Sequence, residues 1–368
     1  MIEMPTVLVG PWTRQARERV AAQEARDTFI RYFRKAVKTR NWTPWDDLPL
    51  VEIAQRGDLL SEDTVTIVEA YLGIEDYVGD YVEEGLRLAH GRRERRNLQL
   101  AWGSEELKHA EAWELVLLHS GRRTQTQLDA YRDRVAQHTW TARAHHPGLD
   151  TPLGIACYAM LQERATYYNY DEMRKRIRRE YGLPENPTEV ERKRGKQIGA
   201  AGAFKVVAND EIAHHGIFLE TVRIYLRYLP EDTLGALSLV FNGFTMPALS
   251  LIPNGSELAA AMERALIHTP RTQIRCVNNP VLDALGLENR RALERAVQAS
   301  KLLPAGLGPE YVALGRAGEF VVSMTPDAEA DIARPDGAST LIRPPGVGAD
   351  GTLPAKRVRE PKLAGGRP

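Results

Sequence analysis

Apolar residues recur at spacings of three and four over most of the chain between residues 62 and 252, the period of helices with one buried face. The pattern predicts helices at about 62–90, 94–120, 124–138, 151–181, 194–228 and 231–252, an earlier one around 14–37, and shorter ones at 256–267 and 287–301. Strand-like alternation is nearly absent. The expected class is all-α, built from long antiparallel helices. Asn41 to Pro49 (NWTPWDDLP) reads as a rigid loop, and Gly182 to Gln197 as a polar connection. From Thr325 to Pro368, 7 Pro and 6 Gly among 44 residues put the segment in the range of disordered chain, so a disordered tail is expected. These readings divide the chain into an N-terminal arm and helix (1–60), a helical bundle core (61–255), a C-terminal helical appendage (256–324) and the tail (325–368).

Composition adds little that is positive but excludes several classes. Lys+Arg 49 and Asp+Glu 49 cancel, so no overall field favours nucleic acid or a membrane surface. Cys157 and Cys276 alone cannot make a disulfide framework. The first residues lack the order of a secretory signal, and Glu18, Glu24 and Asp27 are unlike a transit peptide; a cytoplasmic protein is expected. Thr233 to Gly255 carries no charge over 23 residues, close to a spanning length. Its Ser238, Asn242, Thr245, Ser250 and Pro247 argue instead for a buried helix broken near Pro247, in the core or a subunit interface.

Two Glu-x-x-His pairs stand out, Glu106 with His109 and Glu211 with His214. Positions i and i+3 share a helix face, so each pair can aim a carboxylate and an imidazole at one point. Either pair alone is weak evidence. The surroundings sharpen it: Trp102, Glu106, His109, Trp113 and Leu117 form one apolar stripe, and Phe204, Val207, Glu211, His214 and Phe218 another. Each pair follows a helix with a single inward Glu. Glu75 lies on the stripe Val68, Leu72, Glu75, Gly79, Val82 and Leu86, and Glu163 on Ala156, Ala159, Glu163, Thr166 and Tyr170. Buried carboxylates must be paired, hydrogen-bonded or bound to metal. The order Glu, Glu-x-x-His, Glu, Glu-x-x-His is that of di-iron or di-manganese carboxylate bundles, and four carboxylates balance two divalent ions.

At these residues the sequence resembles the soluble acyl-[acyl-carrier-protein] desaturases of the stearoyl-ACP desaturase type. The matching words are NWTPWDDLP at 41–49, IEDYVGDY at 74–81, EELKH at 105–109, LQERATYY at 161–168, NDEIAH at 209–214 and MPALSLIPNG at 246–255, in family order over about residues 40–255. The resemblance implies a ferritin-like helical bundle holding two iron ions through Glu75, Glu106, His109, Glu163, Glu211 and His214. It implies that Thr166 sits beside the oxygen site, and that Trp42 and Asp210 form a hydrogen-bonded route to His109 suited to electron entry. The sequence departs from the family where residues shape the acyl tunnel: Ala156 with Cys157, and Glu84 with Arg87. The connection before Glu211 also carries the extra loop at 182–197.

The activity implied is O2-dependent insertion of a cis double bond into an acyl chain on a carrier protein, with two electrons from a ferredoxin-type donor and a homodimeric enzyme. An acidic carrier would dock on a basic patch. The candidates are Arg92, Arg93, Arg95 and Arg96; the run Arg174, Lys175, Arg176, Arg178 and Arg179; and Arg192, Lys193 and Arg194. The closest rival is a di-iron hydroxylase or N-oxygenase with the same ligands. Iron storage or a structural bundle is a second class. A radical-generating reductase subunit is a third, weakened because Trp113 stands where that family places a Tyr.

Overall fold

The computed structural model describes residues 12–194, 198–303 and 306–322. The expected tail at 325–368 lies outside them. Ten helices carry the architecture: α1 (Arg14–Thr39), α2 (Glu62–Glu75), α3 (Val78–Leu88), α4 (Arg93–His119), α5 (Gln125–Val135), α6 (Pro152–Glu180), α7 (Ala200–Tyr228), α8 (Pro230–Gly243), α9 (Gly255–Arg264) and α10 (Arg290–Ser300). The described chain is all-α, with only a small hairpin of β1 (Val312–Leu314) and β2 (Phe320–Val322) added.

Local chemistry sets where the helices begin. The Thr13, Ser61 and Thr151 side chains accept from the backbone N–H groups that open α1, α2 and α6, and Thr124 with Gln127 makes a capping box on α5. Pro152 occupies the first turn of α6, where its missing N–H costs nothing. α7 starts at Ala200 rather than 194 because Gly199 sits at φ 55°, a backbone conformation only glycine adopts freely. The Ala200 N–H then donates to the Tyr181 hydroxyl at 3.2 Å, tying the start of α7 to the end of α6. The polar connection forms a short helix of its own, Glu189–Arg194, whose Glu191 binds the fully buried Arg178 at 3.0 Å.

Four rods pack around one core. α6 and α7 run antiparallel along most of their length: Tyr181 meets Ala200 at one end, and His215 Nδ1 faces the Met160 carbonyl at 2.8 Å farther along. α2 and α3 together lie antiparallel to α4, with Glu69 on Arg123 at one end and the Gln99 amide donating to the Tyr81 carbonyl at the other. α4 and α6 run in the same direction, since Trp102 meets Glu163 and Trp113 meets Tyr170. α1 packs across α4 and α7, α8 against α6, α7 and α10, and α9 against α2.

Three departures from the sequence pattern have physical causes. The helix expected at 62–90 breaks at Asp76 and Tyr77, where Asp76 turns out to Arg132 at 2.9 Å and Tyr77 turns in to donate to the Val135 carbonyl. Gly79, expected to face inward, is exposed; Tyr77, Tyr81 and Gly85 take over the inner face. The uncharged 233–255 stretch is helical only to Gly243, not to a break near Pro247, and Leu239 on α8 is exposed. Gly243 is closely covered by the His146 ring, and the chain leaves the helix at Phe244. No helix among the described residues is long and apolar enough to cross a membrane.

The arm is fixed to the bundle where Gly57 meets the end of α4: a methyl group there would stand 1.9 Å from the Ser120 carbonyl oxygen. Backbone cannot retreat as a side chain can. Gly57→Ala is expected to cost about 1–3 kcal/mol, read as a lower urea midpoint at unchanged slope; an unshifted midpoint would show that this contact is not tight.

Candidate metal centre

The four rods deliver Glu75 from the last turn of α2, Glu106 and His109 from mid-α4, Glu163 from mid-α6, and Glu211 and His214 from mid-α7. All six are nearly inaccessible, between 0 and 6% exposed. Donor atoms of Glu75, Glu106, His109 and Glu211 lie within 4.8 Å of one another, and so do those of Glu106, Glu163, Glu211 and His214. The two groups share Glu106 and Glu211. Each therefore has two common carboxylates plus one carboxylate and one imidazole of its own, the donor set of two bridged metal ions.

His109 Nδ1 and Glu106 Oε2 meet at 3.0 Å, but most of the inner atoms are not satisfied by one another. His214 Nδ1 lies 2.7 Å from Glu106 Oε1, and His109 Nδ1 3.1 Å from Glu211 Oε1. Yet Glu106 Oε1, Glu163 Oε2, both Glu211 oxygens and His214 Nδ1 have no hydrogen-bond partner. Lone pairs crowded around common points, without hydrogen-bond alignment, are what ligands of a cation present. The residues present thus fit a pair of ions. Carboxylate oxygen and imidazole nitrogen without thiolate suit iron or manganese.

Protonation follows the same crowding. Burial raises the Glu75 carboxyl to about 8, the charge of Glu106 adding to it while His109 and the Tyr170 hydroxyl pull the other way. Burial also pushes Glu211 well above the usual carboxylate range, reinforced by Glu106 and Glu163. Burial disfavours charge on His109 and His214, but the surrounding acids outweigh it and raise both imidazoles well above their ordinary value. Without a cation these groups must share protons instead.

A second layer holds the histidines. His109 Nε2 faces Asp210 Oδ2 at 3.4 Å, and His214 Nε2 faces Glu105 Oε2 at 2.9 Å. A carboxylate only accepts, so each Nε2 donates to its outer acid, and with a cation bound in place of the shared protons Nδ1 would be the nitrogen that ligates. Asp210 accepts from Trp42 Nε1 at 2.8 Å, and Trp42 stacks on the His109 ring. The route expected from Trp42 through Asp210 to His109 is thus continuous in space. Burial alone would raise Asp210, but His109, His214 and Lys108 hold it below its ordinary value.

Glu105 escaped the sequence reading. Burial would raise it, yet His214, Tyr32 and Arg40 hold it at about 2. Tyr32 donates to it at 2.5 Å and Arg40 lies 3.2 Å away. The signal was in plain view: an acid precedes the ligand Glu in both pairs, Glu105–Glu106 and Asp210–Glu211, and each outer acid holds the histidine of the opposite pair.

Thr166 belongs to neither ligand group. It is buried one turn after Glu163, where its hydroxyl donates to the Gln162 carbonyl at 2.7 Å and accepts from the Gln162 amide at 3.2 Å.

An apolar cleft with about 750 Å³ of empty space, its mouth included, opens one turn from the ligands. Trp102 precedes Glu106, Ala159 precedes Glu163 and Phe218 follows His214, each by four residues, and Ala156 and Tyr158 continue the wall. Arg95 is the charged residue among those lining it. Glu84 and Arg87 do not line it; they pair with each other at 3.0 Å, and Arg87 also binds Asp150.

Full-length protein prepared with ample iron under reducing conditions is expected to carry about two metal ions per chain, counted by elemental analysis. Glu106→Ala and Glu211→Ala each remove a donor common to both groups and are expected to leave less than about one; wild-type protein without metal would sink this reading. No protein-family model matches this chain, nor does any curated protein.

Proposed function

We propose that the protein is a di-iron, O2-dependent acyl-[acyl-carrier-protein] desaturase that introduces a cis double bond into a carrier-bound acyl chain. The observation that carries this reading is the joint placement of the two ligand groups and the apolar cleft, one helical turn apart. The sequence words shared with that family support it, as does the arrangement of rods, two antiparallel pairs joined by one long crossover between α4 and α6.

When bound, a pair of iron ions would supply activation of dioxygen to an oxidant able to take hydrogen from an unactivated CH2. The chain's own residues set what that oxidant meets. Trp102, Ala159 and Phe218 shape the cleft where it approaches the ligands, so a methylene row lying there is held in register and shielded from water. Trp102 also donates from Nε1 to Glu163 at 2.9 Å, fixing that carboxylate from the cleft side. On the far side of His109, Asp210 and Trp42 reach a surface cleft lined by Phe33, Arg40 and Lys108, a suitable landing place for a ferredoxin-type donor.

For the acidic carrier, the run from Arg174 to Arg179 is a poor dock: Arg174 binds Asp171, Arg176 binds Glu180, and Arg178 is buried against Glu191. The side chains of Arg192, Lys193 and Arg194 lie outside the described ones. Arg93 and Arg96 remain, beside a groove that Arg19 and Arg26 of α1 also line. We assign carrier docking to that groove.

The test supplies reductase, ferredoxin and a panel of acyl-carrier substrates, and reads product mass. Loss of two hydrogens is the expected result; gain of one oxygen would identify an oxygenase instead. Ala159→Phe fills the cleft beside Glu163 and is expected to cut turnover at least about tenfold, roughly 1.4 kcal/mol in barrier, with metal content unchanged. Trp42→Phe removes the donor to Asp210 and is expected to slow reduction by the protein donor while dithionite reduces the centre as before. Equal slowing with both reductants would instead mean that the centre itself is damaged.

A further inference from the structure

We infer that Tyr170 is a redox-active side chain, one that gives up an electron when the centre is oxidised with no substrate in the cleft. The inference rests on the di-iron reading above. The Tyr170 hydroxyl donates directly to Glu75, and the residue is 1% exposed. No other tyrosine among the described residues hydrogen-bonds to one of the six ligands.

Tyr170 does not stand alone. Tyr71 lies with its ring centroid 5.0 Å away and Trp113 at 5.1 Å, and Phe204 completes the cluster at 4.4 Å from Trp113. All four are buried, yet the Tyr71 hydroxyl and Trp113 Nε1 have no hydrogen-bond partner. A cluster serving only as packing gains nothing from these polar atoms, and leaving each unpaired is unfavourable. Aromatic rings in contact, easily oxidised and insulated from water, are instead suited to hold and share an electron vacancy.

The cluster sits across the centre from the cleft. Tyr71 precedes Glu75 and Trp113 follows His109 by four residues, whereas Trp102, Ala159 and Phe218 flank the ligands on the opposite side. An acyl chain and Tyr170 therefore meet the centre from different directions. With the chain in place, its CH2 is the reductant; with the cleft empty, Tyr170 is.

The step balances simply. Tyr170 loses one electron to the dioxygen-oxidised metal centre and passes its phenolic proton along the existing hydrogen bond to a Glu75 oxygen, leaving a neutral tyrosyl radical. A one-electron donor of the ferredoxin class returns the electron, and the proton goes back. Trp113 and Tyr71 have no proton acceptor, so the vacancy comes to rest on Tyr170.

The experiment uses the full chain loaded with ferrous iron without oxygen, mixed with dioxygen in the absence of acyl substrate and frozen for electron paramagnetic resonance. An organic radical is expected whose hyperfine pattern narrows when the tyrosine rings are deuterated. It is expected to vanish in Tyr170→Phe, with iron content unchanged. Uniform fluorotyrosine labelling of the wild-type sequence gives a second reading that does not depend on how the variant folds, since a radical on tyrosine must change its spectrum. Iron-loaded protein that consumes dioxygen without an organic radical would overturn the inference, as would the same radical in Tyr170→Phe. A chain that binds no iron would overturn the di-iron reading itself, and this inference with it.

Discussion

Six ionisable side chains in a nearly dry space are the constraint that the rest of the structure answers. Holding one ionised carboxylate away from water costs on the order of several kcal/mol even after the surroundings relax. Four of them, joined through Glu106 and Glu211, cannot all be ionised unless matching positive charge is present, and burial with the neighbouring acids pushes Glu75 and Glu211 upward. A bundle with this interior is a poor solution for stability alone. Aliphatic residues of similar volume would pack the same rods at lower cost, so the arrangement is intelligible as a cation site and not as a core.

The outer layer sharpens the count of charge. Glu105 and Asp210 add two negative charges behind the histidines, and Arg40 and Lys108 bring two positive ones. Arg40 lies 3.2 Å from Glu105 and 3.6 Å from Asp210, and Lys108 lies 3.3 Å from Asp210. The outer layer is thus neutral within itself. The inner four carboxylates are left with a formal charge of minus four, matched by two divalent ions with both imidazoles neutral. Ligand geometry and charge balance lead independently to the same number of ions.

Much of this was legible in the chain. Thr151 with Pro152, and Gly121 and Gly182 just past the ends of α4 and α6, punctuate the apolar period, so those helices match the pattern to within a residue or two. The six side chains that converge were readable because each Glu and His shares an apolar stripe, and a helix face is a local property. What escaped was decided by tertiary contact. The break after Glu75 has no Pro or Gly within it; it exists because Asp76 and Tyr77 both find partners on α5. The hairpin Val312–Leu314 with Phe320–Val322 is too short to show a period of two. Glu105 looked like one more charge beside a motif until the fold brought α4 against α7, and Tyr170 looked like part of a stripe until Glu75 lay opposite its hydroxyl.

The N-terminal arm gains a meaning that its sequence does not suggest. Tyr32 and Arg40 from α1 and its end, and Trp42 just after, touch Glu105 and Asp210, so the arm, with Lys108 of α4, braces the two acids that stand behind the histidines. The inner ligands come instead from the four rods. A centre built this way divides the work: the rods fix the six inner groups and the two acids behind the histidines, while the arm holds those acids in place and links His109 to the surface through Trp42 and Asp210. The cleft and the aromatic cluster approach from other directions, between the rods. The cleft, the link through Trp42 and Asp210, and the buried rings therefore reach the same six side chains along separate paths, and a change in one can leave the others in place.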